Sequence, residues 1–227
     1  VSGDYKIHDD GLTTPYEPVK CHKFITECTF GLPVYHWPES AGEIQRIRDW
    51  WQQNQAESKA SLLVAYSLGK AQRLLNAIGN EAGPVYTHGS IANINQQFRE
   101  VGIQLPEAPK LDQLVNKSDL KQALILAPPS AIGSGWTKRF EPYSTAMASG
   151  WMMLRGAKRR RAVDRGFVIS DHVDWQELNQ AIKATGADTI YTTHGYTDVT
   201  TRWLREQGYE AYEVVTQFEG EADEVEV

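Results

Sequence analysis

Residues 61–78 read Ser-Leu-Leu-Val-Ala-Tyr-Ser-Leu-Gly-Lys-Ala-Gln-Arg-Leu-Leu-Asn-Ala-Ile. Ser61 to Ala65 is an apolar run of strand length, and after a short polar break the chain takes up a helical pattern over Ala71 to Ile78. A strand that is apolar throughout is buried, as the strands of a parallel sheet are. The same step from strand to helix recurs outward in both directions. Upstream, Phe24-Ile25-Thr26 reads as a strand and Gly42 to Gln53 as a helix, with Ile44, Ile47, Trp50 and Trp51 on one face. Downstream come strands at Val85-Tyr86, Ala123 to Ala127, Thr145 to Ser149, Gly166 to Ile169, Thr189 to Thr192 and Glu213 to Thr216. Helices over Ala92 to Val101, Trp175 to Thr185 and Val199 to Gln207 separate several of them. Alternation of this kind predicts an α/β architecture with mostly parallel strands. Pro106 and Pro109 mark Leu105 to Asp112 as a loop within a domain.

At 227 residues and 41% hydrophobic composition, the chain has material for between one and two domains and a sizeable core. No apolar run is long enough for a membrane span, and nothing reads as a signal peptide. Two cysteines, Cys21 and Cys28, cannot build a disulfide framework or a Cys-rich zinc site, which makes a reducing cytoplasm the default expectation. The net charge of −6 does not mark the whole surface as a polyanion binder. Charge is unevenly placed, however. Arg155, Lys158, Arg159, Arg160, Arg161 and Arg165 crowd one stretch, as an exposed loop or as a phosphate-contacting patch. Residues 219–227 carry five acids and no base, and read as a solvated tail.

Four segments put a titratable or metal-capable side chain at a turn or strand end, where the loops of an α/β sheet converge. Ser2-Gly3-Asp4-Tyr5 presents a carboxylate on a small-residue turn. In Phe24-Ile25-Thr26-Glu27-Cys28-Thr29-Phe30-Gly31, Glu27 follows an apolar strand, where an unpaired charge is costly. Val168-Ile169-Ser170-Asp171-His172-Val173-Asp174-Trp175 runs into a polar corner, in which Ser170 or Asp171 could cap the next helix. Ile190-Tyr191-Thr192-Thr193-His194-Gly195 closes on a histidine. Singly, each has an ordinary structural explanation. Asp4 and Glu27 lie 23 residues apart and His172 and His194 lie 22 apart, each one strand-to-strand step, so all four can converge on one sheet edge. Two carboxylates and two imidazoles suit zinc or manganese.

Taken together these segments resemble the β-CASP branch of the metallo-β-lactamase superfamily, and within it the bacterial DNA-ligase-associated exonucleases and mRNA 3′-end processing factor-like proteins. Ser2-Gly3-Asp4-Tyr5 is similar to the superfamily motif whose aspartate bridges two metal ions. Thr26-Glu27-Cys28-Thr29-Phe30-Gly31, Ser170-Asp171-His172-Val173-Asp174 and Thr193-His194-Gly195 resemble the three β-CASP motifs in order. Leu62 to Leu75 resembles the strand-then-helix hallmark of the inserted domain; its Gly69-Lys70 lacks P-loop spacing. The resemblance implies the carboxyl-terminal portion of an αββα sandwich carrying an inserted α/β cap. Residues 1–36 and 156–218 would be sandwich, 37–155 the cap and 219–227 an acidic tail. It implies two divalent ions, zinc or manganese, with Asp4 bridging them and His194 as a ligand. His172 would serve as general acid, oriented by Glu27. Ser130 and Trp136, near Pro128-Pro129 and Gly133-Ser134-Gly135, are its candidate substrate contacts, for phosphate and for a stacked base. Nucleic acid is the implied partner, DNA before RNA, with a DNA ligase and a helicase of the same repair pathway beside it.

One departure bears on all of this. The family's His-x-His-x-Asp-His string is absent, the chain opens Val1-Ser2-Gly3-Asp4, and its first methionine is Met147. His8, His22, His36 and His88 are isolated and read as surface or loop residues. The expectation is therefore a chain entered partway through a larger protein, holding metal poorly by itself and exposing apolar surface where the remainder packs. Two other function classes stay open: a non-catalytic nucleic-acid-binding member with an incomplete metal site, and an ester hydrolase on the same scaffold.

Overall fold

The computed structural model describes residues 1–111, 115–154, 156, 159 and 161–215. The chain is mixed α/β, built on parallel sheets, and divides into two compact units. One comprises Pro38–Ile169; the other is formed by Val1–Trp37 together with the chain from Ser170 onward. The inner unit thus runs fourteen residues past position 155, because the strand at Arg165–Phe167 completes its sheet.

The inner unit is organised on five parallel strands in the order β3-β4-β2-β5-β6. They are β2 (Ala60–Val64), β3 (Val85–Thr87), β4 (Leu124–Ala127), β5 (Tyr143–Ala148) and β6 (Arg165–Phe167). The central strand β2 is buried at every position. Leu63 packs into one core with Ile47, Trp51, Leu74 and Ile91, while Leu62 and Val64 pack into another with Ile125, Phe140 and Met147. Successive side chains of a strand point to opposite faces, so a sheet covered on both needs an unbroken apolar run. Helices α1 (Ser40–Ala56), α2 (Lys70–Ile78) and α3 (Gly89–Glu100) contribute to the first core, and the short α4 (Lys117–Leu120) contributes Leu120 to the second. Glu43 of α1 is buried, but its carboxylate accepts the Val168 N–H at 2.7 Å and pairs with Arg46.

The outer unit has three parallel strands in the order β1-β7-β8: β1 (Lys23–Cys28), β7 (Thr189–Gly195) and β8 (Glu210–Glu213). Helices α5 (Trp175–Thr185) and α6 (Thr197–Glu206) pack Leu178, Ile182 and Leu204 against Phe24, Ile190 and Ala211. The final strand lies three residues earlier than the apolar Val214-Val215 pair suggests. Gly208, at φ +92°, turns the chain directly out of α6, and Val215 is left exposed. Among the described residues no helix is long and apolar enough to cross a membrane. The basic stretch is only partly covered, since Arg155, Lys158 and Arg160 lie outside the described residues, as does the acidic tail.

Candidate catalytic site

The outer unit brings three of the four candidate side chains into a line at the carboxyl end of β1. Glu27 is the penultimate residue of that strand and is 1% exposed. One of its carboxylate oxygens accepts the Thr29 N–H at 2.8 Å, and the other lies 3.3 Å from His172 Nδ1. A buried carboxylate is tolerable only with partners of this kind. By accepting Nδ1–H it fixes the tautomer and leaves proton exchange to Nε2. That Nε2 points towards Asp4, whose Oδ2 lies 3.8 Å away, beyond direct hydrogen-bonding reach. Asp4 is largely exposed. Its neighbours are anchored, with Ser2 N–H bonded to the Ile25 carbonyl at 2.9 Å and the Tyr5 hydroxyl 3.0 Å from Thr26 Oγ1. Burial pushes the Tyr5 phenol well above its ordinary pKa.

The corner that carries His172 is held from several sides. Ser170 Oγ accepts the His172 N–H at 3.0 Å, and the Trp37 indole N–H donates to the His172 carbonyl at 2.9 Å. The Phe30 ring stands edge-on to the imidazole with centroids 5.6 Å apart. Asp174, not Ser170 or Asp171, is the N-cap of α5. Its carboxylate accepts from Glu177 N–H, and the Glu177 side chain accepts from Asp174 N–H. That reciprocal pair is a capping box, and Asp174-Trp175-Gln176-Glu177 shows its spacing in the sequence. Asp174 also accepts the Trp37 backbone N–H at 2.8 Å. Trp37 therefore ties the histidine to the helix cap. Sequence reasoning missed it; the only signal was an aromatic run, Tyr35-His36-Trp37, shortly after the Glu27 segment.

His194 is the penultimate residue of β7, the strand beside Glu27. Glu27 pairs with Thr193 and Cys28 with Gly195, so His194 is the extra residue of a bulge and takes a left-handed backbone, φ +54°. Its carbonyl accepts the Cys28 thiol at 3.0 Å, while its side chain is exposed. Cys28 is 1% exposed and burial pushes its thiol up to about 12. Among the described residues, no group of three or more His, Cys, Asp and Glu side chains is close enough to hold a metal ion.

No family model matches this chain. A curated protein of Opitutus terrae (strain DSM 11246 / JCM 15787 / PB90-1), described as "Probable DNA ligase", is 29% identical over 213 residues. The match covers 94% of this chain and 21% of that protein, so the chain spans about a fifth of its relative's length. Among solved structures, a protein of unknown function from Enterococcus faecalis V583 superposes with a TM-score of 0.51 at 11% identity. That match covers 88% of this chain and 51% of the other and concerns the fold alone.

The remaining candidates belong to the inner unit. Ser130 is exposed in a 3-10 turn, Pro129–Ala131. Trp136 is half-buried, edge-on to both His88 and Phe140, and packs partly into the second core. His88 is no loose loop residue: it is the N-cap of α3, and its ring accepts the Ser90 N–H. His8 and His36 pair with Glu177 and Asp174, the two members of the capping box.

Proposed function

We propose that the chain is part of a metal-dependent phosphodiesterase of the β-CASP metallo-β-lactamase type, a nuclease acting on DNA in preference to RNA. The observation that carries this reading is the line Glu27–His172–Asp4, a buried carboxylate, an imidazole and an exposed carboxylate at one strand end. A relative described as a probable DNA ligase, whose sequence takes in nearly all of this chain, supports the choice of DNA and an association with ligation.

Hydrolysis of a phosphodiester needs a proton delivered to the leaving oxygen. In this site Glu27 holds His172 by Nδ1, and Nε2 gives up that proton on the side that faces Asp4. Trp37 and Ser170 fix the backbone of the corner, so the imidazole meets the substrate in one orientation. Two divalent ions, zinc or manganese, would supply the activated water and neutralise phosphate charge. Asp4 and His194 are the residues proposed to reach them. The described residues do not assemble a metal site by themselves, so an ion needs further ligands.

The test separates the roles, using whichever length of the polypeptide takes up zinc or manganese. His172→Ala lowers the rate of single-stranded DNA cleavage by about 10²- to 10⁴-fold with metal content kept. Asp4→Ala loses both. Equal metal loss in the two variants overturns the division. Hydrolysis of a thioester without DNA cleavage favours the ester hydrolase instead. A non-catalytic nucleic-acid-binding protein is the second reading, favoured by the lack of a three-ligand group among the described residues. DNA binding without cleavage in the metal-loaded protein decides for it.

A further inference from the structure

The loops that follow three adjacent strands of the inner sheet meet at its carboxyl edge. After β2, Tyr66 and Leu68 stand 51% and 69% exposed, and the Lys70 ammonium lies 5.2 Å from the centre of the Tyr66 ring. The next residue after Tyr66 leads to the loop after β3, since Ser67 Oγ is 3.0 Å from Ser90 Oγ. Ser90 Oγ is in turn 2.9 Å from His88 Nδ1. The His88 ring then meets Trp136, in the segment after β4, with centroids 5.0 Å apart at 81°. Lys110, exposed, runs beside Gly89, where an added Cβ would lie 3.3 Å from its Cε and 3.6 Å from its Nζ. Its charge is felt at the imidazole: burial, and after it Lys110, holds His88 below its ordinary pKa.

An exposed aromatic ring, a line of hydroxyl and imidazole groups and the exposed Lys110 ammonium form one continuous strip, while Lys70, 3% exposed, lies against one side of the ring. Carboxyl ends of parallel strands are where α/β sheets bind ligands, because the loops converge there. A polyphosphate alone would use Lys110 and the hydroxyls and leave Tyr66 idle. A duplex would offer phosphates but no base face, its bases being stacked on one another. A nucleotide whose base is unpaired uses both kinds of group, and an unpaired strand supplies such nucleotides in succession.

We propose that this strip binds single-stranded nucleic acid, with a base stacked on Tyr66 and the following phosphate held by Lys110 and the Ser67–Ser90 pair. Trp136, wedged edge-on between His88 and Phe140, walls the far end and does not stack. The inference rests on the nucleic-acid reading above and deepens it by naming contacts that need no metal.

The experiment measures anisotropy of labelled oligothymidylate, and of oligouridylate as the RNA arm, with chelator present. Both variant sites are exposed, so thermal unfolding should match that of the unaltered protein. Tyr66→Phe binds as the unaltered protein does, whereas Tyr66→Leu weakens binding about tenfold. Lys110→Gln lowers the slope of log affinity against log salt by about 0.7. Val101→Ala, exposed at the far end of α3, changes neither. Equal binding by Tyr66→Leu and Tyr66→Phe overturns the proposal, as does a duplex binding as tightly as the single strand. Because no metal is present, strip binding without cleavage by the metal-loaded protein overturns only the catalytic reading. Cleavage without any dependence of binding on Tyr66 overturns only the strip.

Discussion

Gly195 has no room for a side chain. Its φ is +87°, and an added Cβ would fall against the Thr29 Cα and 2.7 Å from the Thr29 nitrogen. These are backbone atoms of the neighbouring strand end and cannot swing away. Gly195→Ala should therefore cost more than about 2 kcal/mol, combining strain at positive φ with overpacking, and lower the urea midpoint accordingly. The preceding His194 already holds a left-handed backbone without glycine's freedom, at a cost on the order of 1 kcal/mol. A second residue-scale expectation concerns the thiols. Cys28 is shut in and its pKa stands at about 12, whereas Cys21 is half-buried. A maleimide reagent at neutral pH should label Cys21 alone until the protein is unfolded. A free thiol ionises near about 8.5, so burying it protonated stabilises the fold fully below that pH. The contribution falls as pH rises from there towards about 12, and the Cys28→Ala variant should lose less stability across that window than the unaltered protein.

At the scale of elements, the cap of α5 does two jobs. The Asp174 carboxylate accepts from Glu177 N–H and from Trp37 N–H, and Trp37 in turn holds the His172 carbonyl. Asp174→Ala should cost about 1–2 kcal/mol for the lost cap, read as a shift in the thermal midpoint. It should also loosen the 170–174 corner, seen as faster hydrogen exchange at the His172 amide. How far such features were legible follows the range of the forces behind them. Strands β2 and β4 announced themselves because burial on both faces leaves an unbroken apolar run, and α1 because its tryptophans and isoleucines share a face. Strand β8 did not: its single buried residue is Ala211, and the louder Val214-Val215 pair lies past its end. The approach of Asp4, Glu27 and His172 was legible only in part: Glu27 ends a strand as its pattern suggests, but Asp4 lies ahead of that strand and His172 stands on the corner before α5, outside the sheet. Trp37 was not, since its hydrogen bond spans 135 residues and no local pattern encodes it. His194 was placed at the correct strand end, but the bulge that turns its backbone is a product of pairing with β1.

At the scale of the whole molecule, the two units differ in how the chain makes them. Pro38–Ile169 is continuous and contains two complete cores, one on each face of its sheet. A fragment spanning residues 38–169 should fold alone, with cooperative unfolding and a near-ultraviolet dichroism from Trp50 and Trp51. The complementary pieces should not, because the core of the outer unit draws Phe24 from one and Ile190, Leu204 and Ala211 from the other.

The pairing of β1 with β7 sets Lys23 beside Thr189. On a chain emerging from the ribosome at roughly 5–20 residues per second, β1 waits many seconds for its partner. During that interval its apolar groups lack their cover, and the free edge is open to pairing with other chains. The inner unit shortens the wait in space, though not in time. Once folded, it replaces a flexible span of more than a hundred residues by a compact body, and the entropic cost of closing the loop falls. The corner that sets His172 against Glu27 is then completed only after the chain from Pro38 to Ile169 has been made.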